Sequence, residues 1–154
     1  WRPFDPRGAL RFDGVVPPAQ PASMASDPFC AGSHDGPVLF RNSGDTLHDV
    51  NVRPQRNDGV NVGQPVPGME TRRAFELPEI GIPIRCDVHP QMIGFIGVFD
   101  HPWFAVTGEA GTFAIHGLSE GRHVIEVWHE QLGTMPREIL VEGEETVVEL
   151  VWEG

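Results

Sequence analysis

Ile84-Arg85-Cys86-Asp87-Val88-His89-Pro90-Gln91-Met92-Ile93-Gly94 puts a thiol, an imidazole and a thioether on one short stretch. Cys86 and His89 are three positions apart, and so are His89 and Met92. An apolar run from Ile80 to Ile84 leads in, and a second from Phe95 to Phe99 leads out. The three groups therefore fall on a tight loop between two expected strands. A soft thiolate, a borderline imidazole and a weak thioether are the donors of a blue-copper centre, which takes two His and one Cys in a plane with a long axial Met. One loop supplies three of these ligands, so the second His must come from elsewhere.

His48 is the candidate. It lies just past a polar turn, Asn42-Ser43-Gly44-Asp45, between an expected strand Val38–Arg41 and another from Leu47 to Arg53. Taken singly, each residue has a plainer reading. A lone Cys is often a small buried hydrophobe, a lone Met fills a core, and a lone His sits on a surface. The set of four in this chain order favours the metal.

An Asn-containing turn, then Leu47-His48-Asp49-Val50, then Cys86, His89 and Met92 at three-residue spacing, resembles the cupredoxin family. The short spacing, with Pro90 after the His, is most similar to its amicyanin branch; plastocyanin-like members have a longer gap from His to Met. The resemblance spans residues 36–99 and implies a Greek-key β-sandwich that binds copper. It implies His48 and His89 as imidazole ligands, Cys86 as thiolate and Met92 as axial ligand, with Met69 a weaker competitor for the axial place. Asp49 stands where many cupredoxins have Asn.

Composition bounds the remainder. The chain of 154 residues is long enough for a real core, with 40% hydrophobic and 21% charged residues marking it as globular. Its 18 Gly and 15 Pro favour short strands joined by turns. No apolar run reaches the ~18 residues of a membrane-spanning helix. Against 22 acidic residues stand 11 basic ones, all Arg, for a net charge of −11. That balance argues against nucleic acid and suits either solubility or steering toward a basic protein surface. The chain begins at Trp1 and reads as a processed mature chain or a fragment.

Residues 1–7 read as an extended arm. Residues 8–35 hold one strand (8–16), a Pro-rich loop (17–26) and a turn-rich run with Cys30 and His34. Those two are better read as a structural thiol and a surface His than as a second metal pair. Pro54–Gly68 reads as a loop and Glu70–Leu77 as a strand. Pro83 inside Ile80–Cys86 calls for an edge strand or a bulge.

Residues 100–154 change character. Thr107-Gly108-Glu109-Ala110-Gly111-Thr112-Phe113, Gly117-Leu118-Ser119-Glu120-Gly121-Arg122-His123 and Trp128-His129-Glu130 resemble the transthyretin-like, carboxypeptidase-regulatory β-sandwich. Such modules bind or scaffold. The expected strands are a hairpin about Gly108–Gly111, then Arg122–His129, Pro136–Val141 and Glu145–Trp152. The N-terminal strand is expected to pair with this tail, with the copper part inserted between. His101 and His129 each neighbour a Trp and are read as packing residues, since a metal site needs three or four converging ligands. The whole order is similar to a group of exported bacterial proteins.

The expectation is therefore an all-β protein whose cupredoxin-like sandwich packs on a second small sandwich. Its function would be single-electron transfer through copper, without enzymatic chemistry. The implied partner is a cytochrome or a membrane electron-transfer complex, in the periplasm or another extracytoplasmic space. The alternative is a copper-free docking subunit of such a complex.

Overall fold

The computed structural model describes residues 10–14, 29–33, 37–107 and 111–152. Among them the protein is all-β. Its strands are β1 (Leu10–Gly14), β2 (Phe29–Ser33), β3 (Val38–Asn42), β4 (His48–Val52) and β5 (Val60–Gln64). They continue with β6 (Glu70–Arg73), β7 (Glu79–Arg85), β8 (Ile93–Phe99), β9 (Gly121–His129) and β10 (Gly133–Val141). The chain divides into two units, Trp1–Phe113 and Ala114–Gly154, whereas the sequence suggested a boundary after residue 99. No helix among the described residues is long and apolar enough to cross a membrane.

The first unit is a sandwich of a three-stranded sheet, β1-β3-β6, and a five-stranded sheet, β2-β8-β7-β4-β5. Its core follows the period-two rule of strands, by which alternate side chains share one face. Val38 and Phe40 come from β3, Val50 and Val52 from β4, Ile82 and Ile84 from β7, and Ile96 and Val98 from β8. Phe75 joins them, and Val60 and Val62 of β5 pack against the cluster. β5 lies inside the Pro54–Gly68 stretch, whose composition reads as loop; its Val-Asn-Val alternation is the local signal of a strand.

β7 is a central strand, hydrogen-bonded to β8 and β4, so Pro83 does not mark an edge. The expected irregularity is present as a register shift between Glu79 and Ile82, where Gly81 takes a φ of 75°. Pro83 also limits the pairing with β4. Arg53 N donates to Pro83 O at 3.0 Å, but proline has no N–H to return the bond. The registered β4–β7 pairs are accordingly the two nearer the site, Asn51 with Arg85 and Val52 with Ile84.

The N-terminal strand does not join the tail. β1 runs parallel to β3, Leu10 against Val38 through Gly14 against Asn42. β6 takes the other edge of β3, and closing the shorter loop to β3 costs less chain entropy than reaching past residue 100. β2, within a run read as turn-rich, pairs in parallel with β8. The arm at residues 1–7, the loop at 17–26, His34 and the side chain of Cys30 lie outside the described residues.

The second unit contains one antiparallel hairpin, β9 with β10, in register from Gly121 with Val141 to His129 with Gly133. A sandwich was expected here. Its further strands are not formed: 112–119 and 145–152 carry no ladder, and residues 108–110 of the expected first turn lie outside the described residues. The Glu142–Glu144 turn does form. Thr146 Oγ1 accepts from Glu142 N at 3.0 Å, and Gly143 has a φ of 70°. The chain beyond it has β propensity but forms no ladder over 145–152, and propensity alone does not make a strand.

Candidate metal centre

His48 is the first residue of β4, Cys86 follows the last residue of β7, and His89 lies in the loop before β8. β4 and β7 are antiparallel and neighbours, so the start of one and the end of the other meet at one end of the sheet. The chain separation of 38 positions is closed by that pairing.

The loop is braced from within. Cys86 N donates to Met92 O at 3.1 Å, and Met92 N donates to His89 O at 2.9 Å. The first bond extends the β7–β8 hairpin by one rung; the second makes the turn that turns His89 inward. Pro90 then fits a turn position where no donor is needed.

Three ligand atoms converge. Cys86 Sγ lies 3.6 Å from His89 Nδ1 and 4.0 Å from His48 Nδ1. All three lie within 4.8 Å of one another. The imidazole rings stand 4.7 Å apart between centroids, tilted by 42°. A metal held at ordinary N and S bond lengths in a trigonal plane would separate the sulfur from each nitrogen by about 3.8 Å. The two sulfur–nitrogen separations bracket that value, so these side chains fit a single ion. Among the described residues this is the group of His, Cys and carboxylate side chains able to hold a metal.

Burial supports the donor chemistry. Cys86 and His48 are buried and His89 is half-buried. Burial, followed by the neighbouring His89, lowers the pKa of His48, keeping its imidazole neutral with a lone pair to give. His48 Nε2 faces Thr46 Oγ1 at 3.4 Å, which leaves Nδ1 toward the sulfur. Gly44 packs against the same ring: a Cβ there would stand 3.1 Å from His48 Nε2. Cys86 is a free thiol, so no bridge to Cys30 competes with a metal.

Two side-chain networks position the site, and the sequence reading named neither. In the first, Asn42 shapes the turn before His48. Its Nδ2 donates to Thr46 O at 2.9 Å and to Gln64 O at 2.7 Å, while its Oδ1 accepts from Gly44 N at 2.9 Å. Its backbone holds the Met69 loop, with Asn42 N donating to Met69 O and Asn42 O accepting from Gly68 N. Buried Gln64 in turn donates to Phe40 O and Thr71 Oγ1, linking the two sheets. In the second, buried Asn51 donates to Asp87 Oδ2 at 2.7 Å and accepts from Arg53 Nε at 3.0 Å. That bond ties the ligand loop to β4. The Asn-Ser-Gly-Asp run signalled a turn; the Asn51–Asp87 bond, 36 positions apart, left no local signal.

Asp49 reaches the site through its backbone, its N–H donating to Cys86 Sγ at 3.3 Å. Met92 is half-buried and anchors the loop by its main chain. Beside the thiol, Arg85, Cys86, Asp87, Pro90 and Ile93 line a surface recess of about 190 Å³. Among the described residues, no other histidine belongs to a group able to hold a metal. His101 lies between the rings of Phe99 and Trp103, 5.8 and 5.9 Å away. His123 Nε2 is 2.8 Å from Ser119 O, and His129 Nδ1 accepts from Gln131 N.

No protein-family model matches the sequence, and no curated protein matches it. Among solved structures, the chain is similar to a novel purple cupredoxin from Nitrosopumilus maritimus. The TM-score is 0.40 at 16% identity, over 46% of this chain and 77% of that one.

Proposed function

We propose that the protein is a type 1 copper electron carrier, in which His48, Cys86, His89 and Met92 would hold the copper. The observation that carries this reading is the spacing of the three donor atoms, 3.6 and 4.0 Å from sulfur to nitrogen. Bound copper would supply a one-electron couple. The chain's own part is to hold the donors still. The Cys86–Met92 and His89–Met92 backbone bonds, the Asn42 turn and the Asn51–Asp87 tie fix the ligand positions. A site that cannot rearrange costs little reorganisation on electron transfer, and the full donor set leaves no open position for bond chemistry.

Half-buried His89 lies nearest solvent of the three and would be the edge through which electrons pass. A net charge of −11 suits a redox partner with a basic surface, such as a cytochrome or a membrane electron-transfer complex in an extracytoplasmic space.

Copper(II) loading followed by metal analysis and a visible spectrum tests the reading. One copper per chain with an intense visible band is expected, and Cys86→Ser should remove the band. A copper-loaded protein without colour would leave a copper-free docking subunit as the function.

A further inference from the structure

Asp49 carries a buried oxygen that nothing in the site's architecture uses. Its Oδ2 is shielded from solvent and has no hydrogen-bond partner. Its backbone N–H is the 3.3 Å donor to Cys86 Sγ, and its neighbour in β4 is His48. Covalent geometry then limits the carboxylate oxygens to within about 7 Å of the sulfur. Buried side chains that keep an unpaired polar atom lose stability by it. Asn51, two residues on and buried where Asp49 is half-buried, is bonded to both Asp87 and Arg53. The unpaired group therefore coincides with the residue that touches the thiolate.

We infer that the Asp49 carboxylate is an electrostatic positioning group that biases the site toward copper(II) over copper(I). This rests on the type 1 copper reading. The donor set carries a single thiolate charge, so the occupied site is one charge more positive when oxidised. A negative charge at this range, on a half-buried side chain with one oxygen shielded from water, attracts the oxidised form more strongly. Reduction by a partner's electron removes that attraction, and the reduction potential is lowered.

The test uses the whole chain loaded with copper, wild type beside Asp49→Asn, which keeps the shape and removes the charge. Spectroelectrochemical titration should show the copper(I) to copper(II) ratio at a given applied potential rising about tenfold, equivalent to about 59 mV. A second readout needs no redox cycling: the ratio of Cu(I) to Zn(II) affinity, measured by competition on unloaded protein, should rise in the same direction. Asp49→Ser, also neutral, should behave like Asp49→Asn. A blue variant with unchanged or lowered potential and an unchanged affinity ratio overturns the inference alone. Loss of folding or of copper uptake in both variants would make Asp49 a structural residue and overturn it as well. A wild-type protein that takes up no copper, or is colourless with it, removes both this inference and the reading beneath it.

Discussion

The Cys86 end of the first unit and the hairpin of the second are both antiparallel β-structure, yet they are built differently. In the first, buried polar side chains accompany the buried apolar ones. Asn42, His48, Asn51 and Gln64 are each under a tenth exposed, and each has a partner: Asn42 with Thr46, Asn51 with Asp87, Gln64 with Phe40, His48 with Thr46 and Cys86. In the hairpin, Met135 is the buried residue among the ladder positions, and Val124 remains 65% exposed. Ala114–Gly154 also holds nine Glu against two Arg. Position-holding is concentrated where the donor atoms meet, while much of the charge that would steer a partner sits on the hairpin unit. A satisfied buried network costs folding energy to assemble but specifies one geometry, which a metal centre needs and a charged surface does not.

The largest expected effect separates the two regions outright. Ile82→Ala, at a position with no exposure, should lower unfolding free energy by about 2–5 kcal/mol in urea denaturation. Val147→Ala in the second unit, 87% exposed, should stay within about 0.5 kcal/mol of wild type. Equal losses would erase the distinction.

Asn51→Ala probes the brace rather than the core. It leaves the Asp87 carboxylate and the Arg53 guanidinium without their shared partner. Copper affinity should fall about 10- to 100-fold, as for removal of groups that orient ligands, with a stability loss of about 1–3 kcal/mol. An unchanged affinity, measured by competition with a chelator, would show that the loop holds its shape without β4.

Glu79 gives the smallest effect and one with a pH signature. Burial pushes its pKa up, but the Gln55 and Arg56 amides and the Asn57 side chain and amide together bring it below the model-compound value of 4.5. A carboxylate depressed by folding contributes stability above its unfolded pKa and loses it as pH falls through the folded one. Melting temperature should therefore fall below about pH 4.5 in the wild type. In Glu79→Gln that acid slope should flatten, with a loss of about 1 kcal/mol at neutral pH. An identical acid slope in the variant would assign the loss to other carboxylates.

The strands that build the centre were readable because each carries its own period: Val38–Asn42, His48–Val52, Glu79–Arg85 and Ile93–Phe99. The convergence of His48, Cys86 and His89 was readable for a related reason. Metal chemistry demands particular residue types, and a tight loop demands close spacing. Both are properties of the linear chain. β5 was missed because Asn and Gly dilute its alternation, although Val60 and Val62 pack on the core. In the tail the opposite failure occurred: Thr146-Val147-Val148-Glu149-Leu150-Val151 has strand composition and forms no ladder.

The sequence by itself determined which three side chains, His48, Cys86 and His89, converge, the loop that carries two of them, and the all-β character. Tertiary structure alone decided where β1 pairs, that Pro83 sits in a central strand, and that Asn51 reaches Asp87 across 36 positions. It also decided that Asp49, whose backbone N–H donates to Cys86 Sγ, keeps a buried, unpaired side-chain oxygen. These outcomes depend on which strand edges are free and which backbone groups are left unpaired after the sheets assemble, and neither quantity exists until the chain has folded.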